Sequence, residues 1–166
     1  KFGAKVTLVS RQALPAREAW PEYVVRENQN RAIVKRIMAV QRLEALGGEV
    51  FVAQADVCNL AEMQTAKAQS EQKFGKVAVV IHAAGVVNDS PLQIKTTASV
   101  EEVFAPKIHG TLVLDQVFVD GSIELLVLFS STSTATAPAG QIDYVAANEF
   151  LNSYSKSRSN DATKVI

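Results

Sequence analysis

The stretch that decides the fold is residues 131–148, which read STSTATAPAGQIDYVAAN. The apolar run at 123–129 before it predicts a buried strand, and a helical pattern begins at about Gln141. Ser131 therefore stands at the end of a strand, Tyr144 follows thirteen residues later, and Asn148 comes four residues after that. Because residues four apart lie on one face of a helix, we expect Tyr144 and Asn148 to point toward the strand end that carries Ser131.

These side-chain types are suited to proton transfer. A phenol ordinarily titrates at about pH 10, but a nearby cation and a hydroxyl group that holds it in place make it a proton donor at neutral pH. Lys107, twenty-four residues before Ser131, is the candidate cation. Each residue also has an ordinary interpretation, Tyr144 as a half-buried helix residue and Lys107 and Asn148 as solvated polar residues.

Strands and helices alternate along the rest of the chain. Apolar runs predict strands at 5–10, 49–56, 76–81 and 123–129. Helical spacing predicts helices at 28–46, at 59–74, around Lys107 and from about Gln141. The segment 12–27 is expected to contain a short helix, since long loops without structure are uncommon in compact domains. The alternation predicts an α/β fold with an open parallel sheet and right-handed crossovers.

Local signals mark where two of the helices begin. Asn59 with Glu62, and Ser99 with Glu102, have the spacing of a capping box, which predicts that Asn59 and Ser99 open helices. The second of these helices carries Lys107. Pro106 is expected to bend it, because proline removes one backbone donor.

Polar or small residues occupy the predicted carboxyl ends of four strands. They are Arg11, Asp56, residues 82–85 and Ser131. In open parallel sheets, ligands bind outside these strand ends, near the point where strand order reverses. The sequence therefore predicts a ligand site along this edge.

Composition narrows the class of protein. The 166 residues are enough for one domain, and 17 basic residues balance 17 acidic ones, so no electrostatic footprint for nucleic acid or an acidic membrane surface is present. The single cysteine, Cys58, excludes an internal disulfide and fits a reducing, cytoplasmic setting. No membrane span or signal peptide is predicted. Two scattered histidines and one cysteine give no metal-ligand spacing.

Four short strings carry a resemblance to a known family: FAPKIHG at 104–110, FSS at 129–131, GQIDY at 140–144 and AAN at 146–148. Together they resemble the active site of the ketoreductase domains of modular polyketide synthases, which belong to the short-chain dehydrogenase/reductase superfamily. Most reductases of that superfamily carry Tyr-x-x-x-Lys. In the polyketide ketoreductases the lysine comes from an earlier helix and asparagine holds the fourth place, as Lys107 and Asn148 do here.

The resemblance implies a role for each residue of this set. Tyr144 donates the proton to the reduced carbonyl oxygen, and Ser131 hydrogen-bonds the same oxygen. Lys107 makes the phenol more acidic through its charge and holds the cofactor ribose, and Asn148 supports the proton relay. Ser130 is interpreted as structural, because only Ser131 has the thirteen-residue spacing to Tyr144.

The resemblance also implies NADPH as the cofactor. Arg11, with Ser10 beside it, would pair with the 2′-phosphate and select NADPH over NADH, although a surface charge is the ordinary interpretation of Arg11. Asp56 and Val57 would contact adenine, with an aspartate that satisfies a turn as the alternative. Small residues let the cofactor approach the backbone closely. These residues are Ala83, Ala84 and Gly85. His82 is interpreted as a satisfied polar group, and His109 as a surface residue.

Asp89 bears on stereochemistry. It lies eighteen residues before Lys107, where ketoreductases that give the D-configured hydroxyl (the B type) carry Leu-Asp-Asp. Asn88 departs from that pattern and Asp89 keeps its last residue. The A type has a tryptophan eight residues before the tyrosine, where this chain has Thr136. The resemblance thus favours B-type reduction, with a turn-forming Asn-Asp pair as the alternative.

The chain is expected to be an excerpt of a longer parent polypeptide. Residues 1–5 are expected to be the tail of a helix, and residues 163–166 the beginning of a strand. The resemblance implies a Rossmann-like doubly wound parallel sheet, of which residues 1–166 lack the first strand, its glycine-rich turn and the C-terminal part. The missing strand would lie between the strands at 5–10 and 76–81. Two unpaired strand edges should leave the excerpt poorly stable and inactive by itself, and a cooperative, high-temperature melt would contradict this.

The function implied is NADPH-dependent reduction of a β-ketoacyl thioester, delivered by an acyl carrier protein of the same megasynthase among neighbouring synthase domains. The alternatives are a non-catalytic ketoreductase subdomain, a fatty-acid synthase ketoreductase or a free-standing short-chain reductase. The complete set of Lys107, Ser131, Tyr144 and Asn148 counts against the first. Asn148 in place of a lysine counts against the last.

Overall fold

The computed structural model describes residues 3–25 and 31–166 of the chain. Within these ranges the strands are β1 (Lys5–Ser10), β2 (Glu49–Gln54), β3 (Val79–His82), β4 (Leu125–Leu128) and β5 (Lys164–Val165). The α-helices are α1 (Trp20–Val25), α2 (Arg31–Ala45), α3 (Leu60–Phe74), α4 (Thr97–Phe104), α5 (Gly110–Val117), α6 (Ser133–Thr136) and α7 (Ile142–Ser157). The predicted alternation of strands and helices is confirmed.

All the strand pairs in the described ranges are parallel, but they form two sheets instead of the one that the alternation predicts. β1 pairs with β2, with Lys5 opposite Glu49. The second sheet has the order β3-β4-β5, with Leu125 opposite both Val79 and Lys164. The break between β1 and β3 falls where the family resemblance implies a further strand. β1 and β3 each have one edge without a strand partner among the described residues.

The helices mostly begin where local signals predict. Asn59 caps α3, and its side-chain oxygen accepts from the Glu62 backbone N–H at 3.2 Å. The segment 12–27 contains a short 3₁₀ turn, Arg17–Ala19, and α1, as expected. The first three residues of the helix predicted at 28–46, residues 26–27 of the preceding segment, and residues 1–2 lie outside the described residues. Residues 3–4 are not helical.

The start of α4 differs from the prediction. Thr96, and not Ser99, is the capping residue: Thr96 Oγ1 accepts from the Ser99 N–H at 3.1 Å, and Ser99 Oγ accepts from the Thr96 N–H at 3.0 Å. Ser99 therefore takes the third helical position, because its own hydroxyl completes the box. Glu102 is left to accept a hydrogen bond from the side chain of Asn88 at 3.3 Å.

Three strands are shorter or shifted relative to the sequence prediction. β2 ends at Gln54, two residues early, because the Asp56 carboxylate accepts from the Cys58 N–H at 2.9 Å and turns the chain. β3 begins at Val79 and includes His82, and β4 covers only the middle of the apolar run at 123–129. The buried face of β4 nevertheless packs as predicted, since Leu126, Leu128 and Leu151 of α7 belong to one apolar cluster.

Pro106 interrupts the regular α-helical hydrogen bonds of the helix predicted around Lys107. Residues Ala105–His109 form a π-turn between α4 and α5, closed by a hydrogen bond from the Gly110 N–H to the Ala105 carbonyl. Proline cannot donate to the ladder, so an irregular turn at this point is the expected response. π-turns of this kind often occur at functional sites, and this one carries Lys107.

No helix within residues 3–25 and 31–166 combines the length and apolar character needed to cross a lipid bilayer.

Candidate active site

Lys107 lies at the centre of the site. The π-turn directs its side chain inward, where only 4% of the residue is exposed, and its ammonium donates to the Phe129 carbonyl at the end of β4 at 2.9 Å. The ammonium lies 5.9 Å from the centre of the Tyr144 ring. Burial lowers the pKa of Lys107, because a charged amine is less stable away from water. The residue thus joins the end of β4 to the helix that carries Tyr144.

Asn148 is fully buried one turn after Tyr144 on α7. Its amide donates to the Tyr144 carbonyl at 2.7 Å, and its backbone carbonyl accepts from the Ser130 hydroxyl at 3.3 Å. Its side-chain oxygen is buried and has no hydrogen-bond partner among the described residues. A buried acceptor without a partner destabilises the fold, so this oxygen is placed to accept a hydrogen bond from a ligand or an ordered water.

Ser131 follows β4 and precedes the short helix α6. Its hydroxyl oxygen accepts from the Ser133 N–H at 3.1 Å, and its carbonyl accepts from the Thr134 hydroxyl at 2.9 Å. The Ser131 side chain belongs to a half-buried residue, so it can be reached from solvent. Because a serine hydroxyl has one proton and two lone pairs, accepting from Ser133 leaves that proton available for a bound carbonyl group.

The small residues after β3 pass directly beside Lys107. A side chain at Gly85 would place its first carbon 3.1 Å from the Cε atom and 3.6 Å from the ammonium of Lys107. Glycine therefore leaves space next to the cation that alanine would fill. Ala83 is exposed and Ala84 half-buried in the same stretch. The strip is open enough for a flat ligand to approach the backbone.

His82 is buried at the end of β3, behind this strip. Burial first, and then the charge of Lys107, lower its pKa to about 4, while hydrogen bonding to the backbone of Pro106 and Lys107 acts in the opposite direction. Its Nε2 atom has no hydrogen-bond partner among the described residues. The expectation that His82 is a satisfied polar group is therefore wrong for this nitrogen. His109 is exposed as expected, 3.2 Å from a Glu101 carboxylate oxygen.

The end of β1 is more basic than the sequence pattern indicates. The Ser10 hydroxyl donates to the Gln12 carbonyl at 2.8 Å, and Arg11 is exposed beside it. The Arg36 guanidinium reaches over from α2, contacts the Ser10 hydroxyl and donates to the Gln12 carbonyl at 2.7 Å. Sequence reasoning missed Arg36, because only packing shows which residues of α2 face the end of β1.

Asp56 and Val57 have local partners in the structure. The Asp56 carboxylate closes the turn to Cys58, which is the alternative that the sequence left open. The Val57 side chain packs against Gly110: a first side-chain carbon at Gly110 would lie 2.9 Å from Val57 Cγ1. A cofactor contact of either residue stays a prediction.

Asp89 is exposed and accepts a hydrogen bond from the Gln141 side-chain amide at 2.8 Å. Two further residues nearby were missed in the sequence. Lys95 and Asp143 form an ion pair at 2.7 Å, and only 2% of each side chain is exposed. Lys95 belongs to no short motif, and nothing in the GQIDY string that contains Asp143 signals a partner 48 residues away. No group of three or more acidic, cysteine or histidine side chains suited to a metal ion occurs in the described part of the chain.

The sequence profile of a family described as "KR domain" matches residues 3–166. The chain belongs to the KR, or ketoreductase, domain family. It is 33% identical to a 6-methylsalicylic acid synthase of Aspergillus terreus over its whole length and 32% identical to the polyketide synthase PksL of Bacillus subtilis over 77% of its length. These matches identify it as a ketoreductase domain of the polyketide synthase type.

Solved ketoreductases have the same fold. An N-terminal ketoreductase from the macrolactin assembly line superposes with a TM-score of 0.74 at 31% identity, covering 93% of this chain and 28% of that one. A ketoreductase from the first module of phoslactomycin biosynthesis in Streptomyces sp. HK803 gives 0.73 at 27% identity, covering 97% and 33%. The KR domain described here thus spans about a third of the solved chains or less, and 9% of the fungal synthase.

Ketoreductase domains of this superfamily bind a nicotinamide cofactor, and several features of this KR domain fit such a group. Gly85 leaves space against Lys107, the side-chain oxygen of Asn148 is buried without a partner among the described residues, and Ala83 and Ala84 are small. The glycine-rich G-x-G-x-x-G turn that holds the pyrophosphate in this fold does not occur in residues 1–166. The residues that fit the cofactor are therefore those near Lys107, where its reacting nicotinamide end would lie, and those at the end of β1.

Proposed function

We propose that this KR domain contributes the catalytic groups for NADPH-dependent reduction of a β-ketoacyl thioester to the β-hydroxyacyl thioester. The observation that supports this most directly is the buried Lys107 ammonium 5.9 Å from the Tyr144 ring, with Asn148 on the same helix and Ser131 at the adjoining strand end. A buried cation next to a phenol has a chemical use in proton donation.

When bound, NADPH supplies the hydride that forms the new C–H bond at the β-carbon. Tyr144 gives its phenolic proton to the carbonyl oxygen as the C=O π bond breaks, so that an alcohol results. Ser131 donates a hydrogen bond from its hydroxyl group to the same oxygen and holds it in place without giving up its proton. Lys107 stabilises the phenolate that remains, because its charge is fixed by the Phe129 carbonyl and poorly screened where it is buried.

Preference for NADPH over NADH is proposed from the end of β1. A 2′-phosphate needs positive charge and hydrogen-bond donors, and arginine supplies both in a planar fork. Arg11 is exposed there, and the Arg36 guanidinium lies against Ser10. Two guanidinium groups at one strand end support the choice of the phosphorylated cofactor.

The carrier and the stereochemistry are proposed from the relatives and from Asp89. The relatives include a 6-methylsalicylic acid synthase, of which this chain spans 9%, so we propose that an acyl carrier protein delivers the substrate and that other synthase domains adjoin this one. Asp89, together with Thr136 at the position where the A type has tryptophan, supports B-type reduction to the D-configured hydroxyl.

The test is NADPH consumption by the parent polypeptide with a simple β-ketoacyl thioester, beside its Tyr144→Phe variant. We expect turnover in the parent, a loss of at least about a hundredfold in Tyr144→Phe, and NADPH binding retained in both, because only the proton donor is removed. Tyr23→Phe makes the same change in the cluster around Trp20 and is the matched control. It should leave turnover unchanged.

The alternatives give other results. NADPH binding without turnover by the parent would contradict β-ketoacyl reduction for that substrate. Neither binding nor turnover would favour a non-catalytic ketoreductase subdomain. Equal turnover of the parent and Tyr144→Phe would show that Tyr144 is not the proton donor.

A further inference from the structure

We propose that the buried Lys95–Asp143 ion pair is a positioning device that fixes residues 86–95, here called the Asp89 segment, against the start of the Tyr144 helix. In this role it sets which face of the substrate carbonyl meets the hydride. The inference rests on the proposed function, because it concerns the stereochemistry of the same reduction. Lys95 and Asp143 are positioning residues, since both act through Asp89 and Tyr144.

The ion pair is one link in a continuous chain of contacts. Lys95 donates to the Asn88 carbonyl at 2.8 Å and to one oxygen of Asp143 at 2.7 Å. The other oxygen of Asp143 accepts from the backbone N–H of Tyr144 at 2.9 Å. The chain therefore begins at the residue before Asp89 and ends at the proton donor itself.

Two further contacts join the same two pieces of chain. The Ser90 N–H donates to the Gly140 carbonyl at 3.1 Å, and the Gln141 side-chain amide donates to the Asp89 carboxylate at 2.8 Å. Gly140 has a φ of +84°, which favours glycine, and a side chain there would lie 3.5 Å from the backbone of Ser90. The loop before α7 thus runs directly along the Asp89 segment.

Burial decides which of these contacts holds the segment. Asp89 is exposed, so its hydrogen bond to Gln141 competes with water and contributes little order by itself. The Lys95 and Asp143 side chains are each only 2% exposed. Breaking such a pair by removing one charge leaves the other buried without compensation, which strongly disfavours the native arrangement. The exposed Asp89 contact therefore depends on the buried pair beneath it.

The consequence for the reaction is geometric. A carbonyl group placed for proton transfer from Tyr144 can present either face, and a side chain on one flank of the site limits how the acyl chain enters. Asp89 contacts Gln141 directly before the Tyr144 helix, and we place it on that flank, held in register with Tyr144 by Lys95 and Asp143. When the register relaxes, both orientations become accessible while the proton donor and the hydride source remain.

The experiment compares Lys95→Met with the parent polypeptide. We measure the ratio of the two hydroxyl configurations by chiral chromatography, the NADPH dissociation constant, and hydrogen exchange of residues 86–95. We expect the configuration ratio to fall by about tenfold or more, exchange in the segment to accelerate by a similar factor, and NADPH affinity to change less than about twofold. Loss of stability alone would not produce the second configuration.

Two more variants keep the result interpretable. The double variant Lys95→Met with Asp143→Leu removes both charges and leaves no buried charge uncompensated. It should therefore fold even if the single variant Lys95→Met is too unstable to fold. It should still give mixed configurations, because the link to the Asn88 carbonyl is gone. Arg158→Met breaks the ion pairs with Asp115 and Asp161 at the far end of α7 and is the control for the loss of a charge pair on the same helix. It should lower stability and leave the configuration ratio unchanged.

An unchanged configuration ratio and unchanged exchange in a folded Lys95→Met or double variant would overturn the inference. A parent polypeptide that reduces no β-ketoacyl thioester would instead overturn the proposed function. In that case hydrogen exchange alone decides whether the ion pair holds the Asp89 segment, with faster exchange supporting it and unchanged exchange overturning it.

Discussion

At the scale of single residues, burial sets the chemistry of two neighbouring bases. His82 and Lys107 lie side by side behind the strip of small residues after β3, and each has its pKa lowered, chiefly by loss of water. The lysine keeps a partner in the Phe129 carbonyl, whereas one nitrogen of the histidine has none among the described residues. A neutral histidine next to a cationic lysine avoids placing two positive charges together in a region of low dielectric.

The lowered pKa of His82 predicts that acid destabilises the fold. An unfolded histidine titrates at about pH 6.5, whereas burial lowers the pKa of His82 to about 4. Between these values the unfolded chain binds more protons than the folded one, so the free energy of unfolding falls as pH drops from 6.5 to 4. The loss amounts to at most about 3 kcal/mol across that window.

Urea denaturation of the parent polypeptide and of His82→Gln at several pH values checks this. The variant should be less sensitive to pH between 6.5 and 4, because it has no buried base to protonate. His109→Gln makes the same substitution at an exposed histidine, outside the buried site, and is the comparison variant. If the free energy of unfolding depends on pH in the same way for the parent and for His82→Gln, carboxylates alone cause the acid sensitivity.

At the scale of elements, the site is made by close contacts between helices and strand ends. α5 begins at Gly110 directly against Val57, after the end of β2. The absence of a side chain at Gly110 allows the π-turn to lie close enough for Lys107 to reach the end of β4. Glycine is otherwise a poor choice inside a helix, where it costs about 1 kcal/mol relative to alanine.

Gly110→Ala should therefore destabilise the protein despite the better helix propensity of alanine. The new carbon would lie 2.9 Å from Val57 Cγ1, and overpacking of this kind costs about 1–3 kcal/mol. The urea midpoint of unfolding measures the change. Combining Gly110→Ala with Val57→Ala should recover part of the loss, since it removes the colliding methyl groups. A Gly110→Ala variant more stable than the parent would contradict the contact.

α2 brings a second arginine to the end of β1, and this predicts cofactor preference. Arg36→Ala should weaken NADPH binding by about tenfold and leave NADH binding nearly unchanged, because only NADPH carries the 2′-phosphate. Fluorescence titration of both cofactors measures the two constants. Arg42→Ala removes an exposed arginine from the last turn of the same helix and is the matched control. An equal loss of affinity for both cofactors would show that Arg36 supports the fold and does not contact the 2′-phosphate.

At the scale of the whole molecule, the described residues form two parallel sheets with open edges at β1 and β3. The β3 edge exposes apolar side chains, with Val79 46% and Ile81 63% exposed. Unpaired strand edges with apolar residues favour pairing with another chain. The α-helices still bury three apolar clusters, so secondary structure can form while these two strand edges stay unpaired.

The 166-residue chain by itself should accordingly associate in solution and melt with low cooperativity. Light scattering after size-exclusion chromatography measures the association, and circular dichroism follows the melt. Ile81→Lys places a charge on the exposed edge and should reduce association without loss of helix content. Met38→Lys changes an exposed apolar residue on α2 and should not reduce it. A cooperative, high-temperature melt of a monomer would contradict this account.

The sequence by itself determined the alternation of strands and helices, the parallel α/β class and the family. These follow from local periodicity, from caps such as Asn59, and from short strings around Lys107, Ser131 and Tyr144, all of which are encoded by near neighbours in the chain. The sequence placed the cap of α4 wrongly at Ser99, because Thr96 offers an equally good hydroxyl and only the built turn distinguishes them.

Tertiary structure alone decided which distant residues meet. Arg36 at Ser10, and Lys95 at Asp143, join positions 26 and 48 residues apart, and neither pair leaves a periodic signal. The partnerless oxygen of Asn148 and the low pKa of His82 depend on burial, which is set by how helices pack on the strands. The physical reason is that propensity acts over a few residues, whereas burial and charge pairing depend on the packed whole.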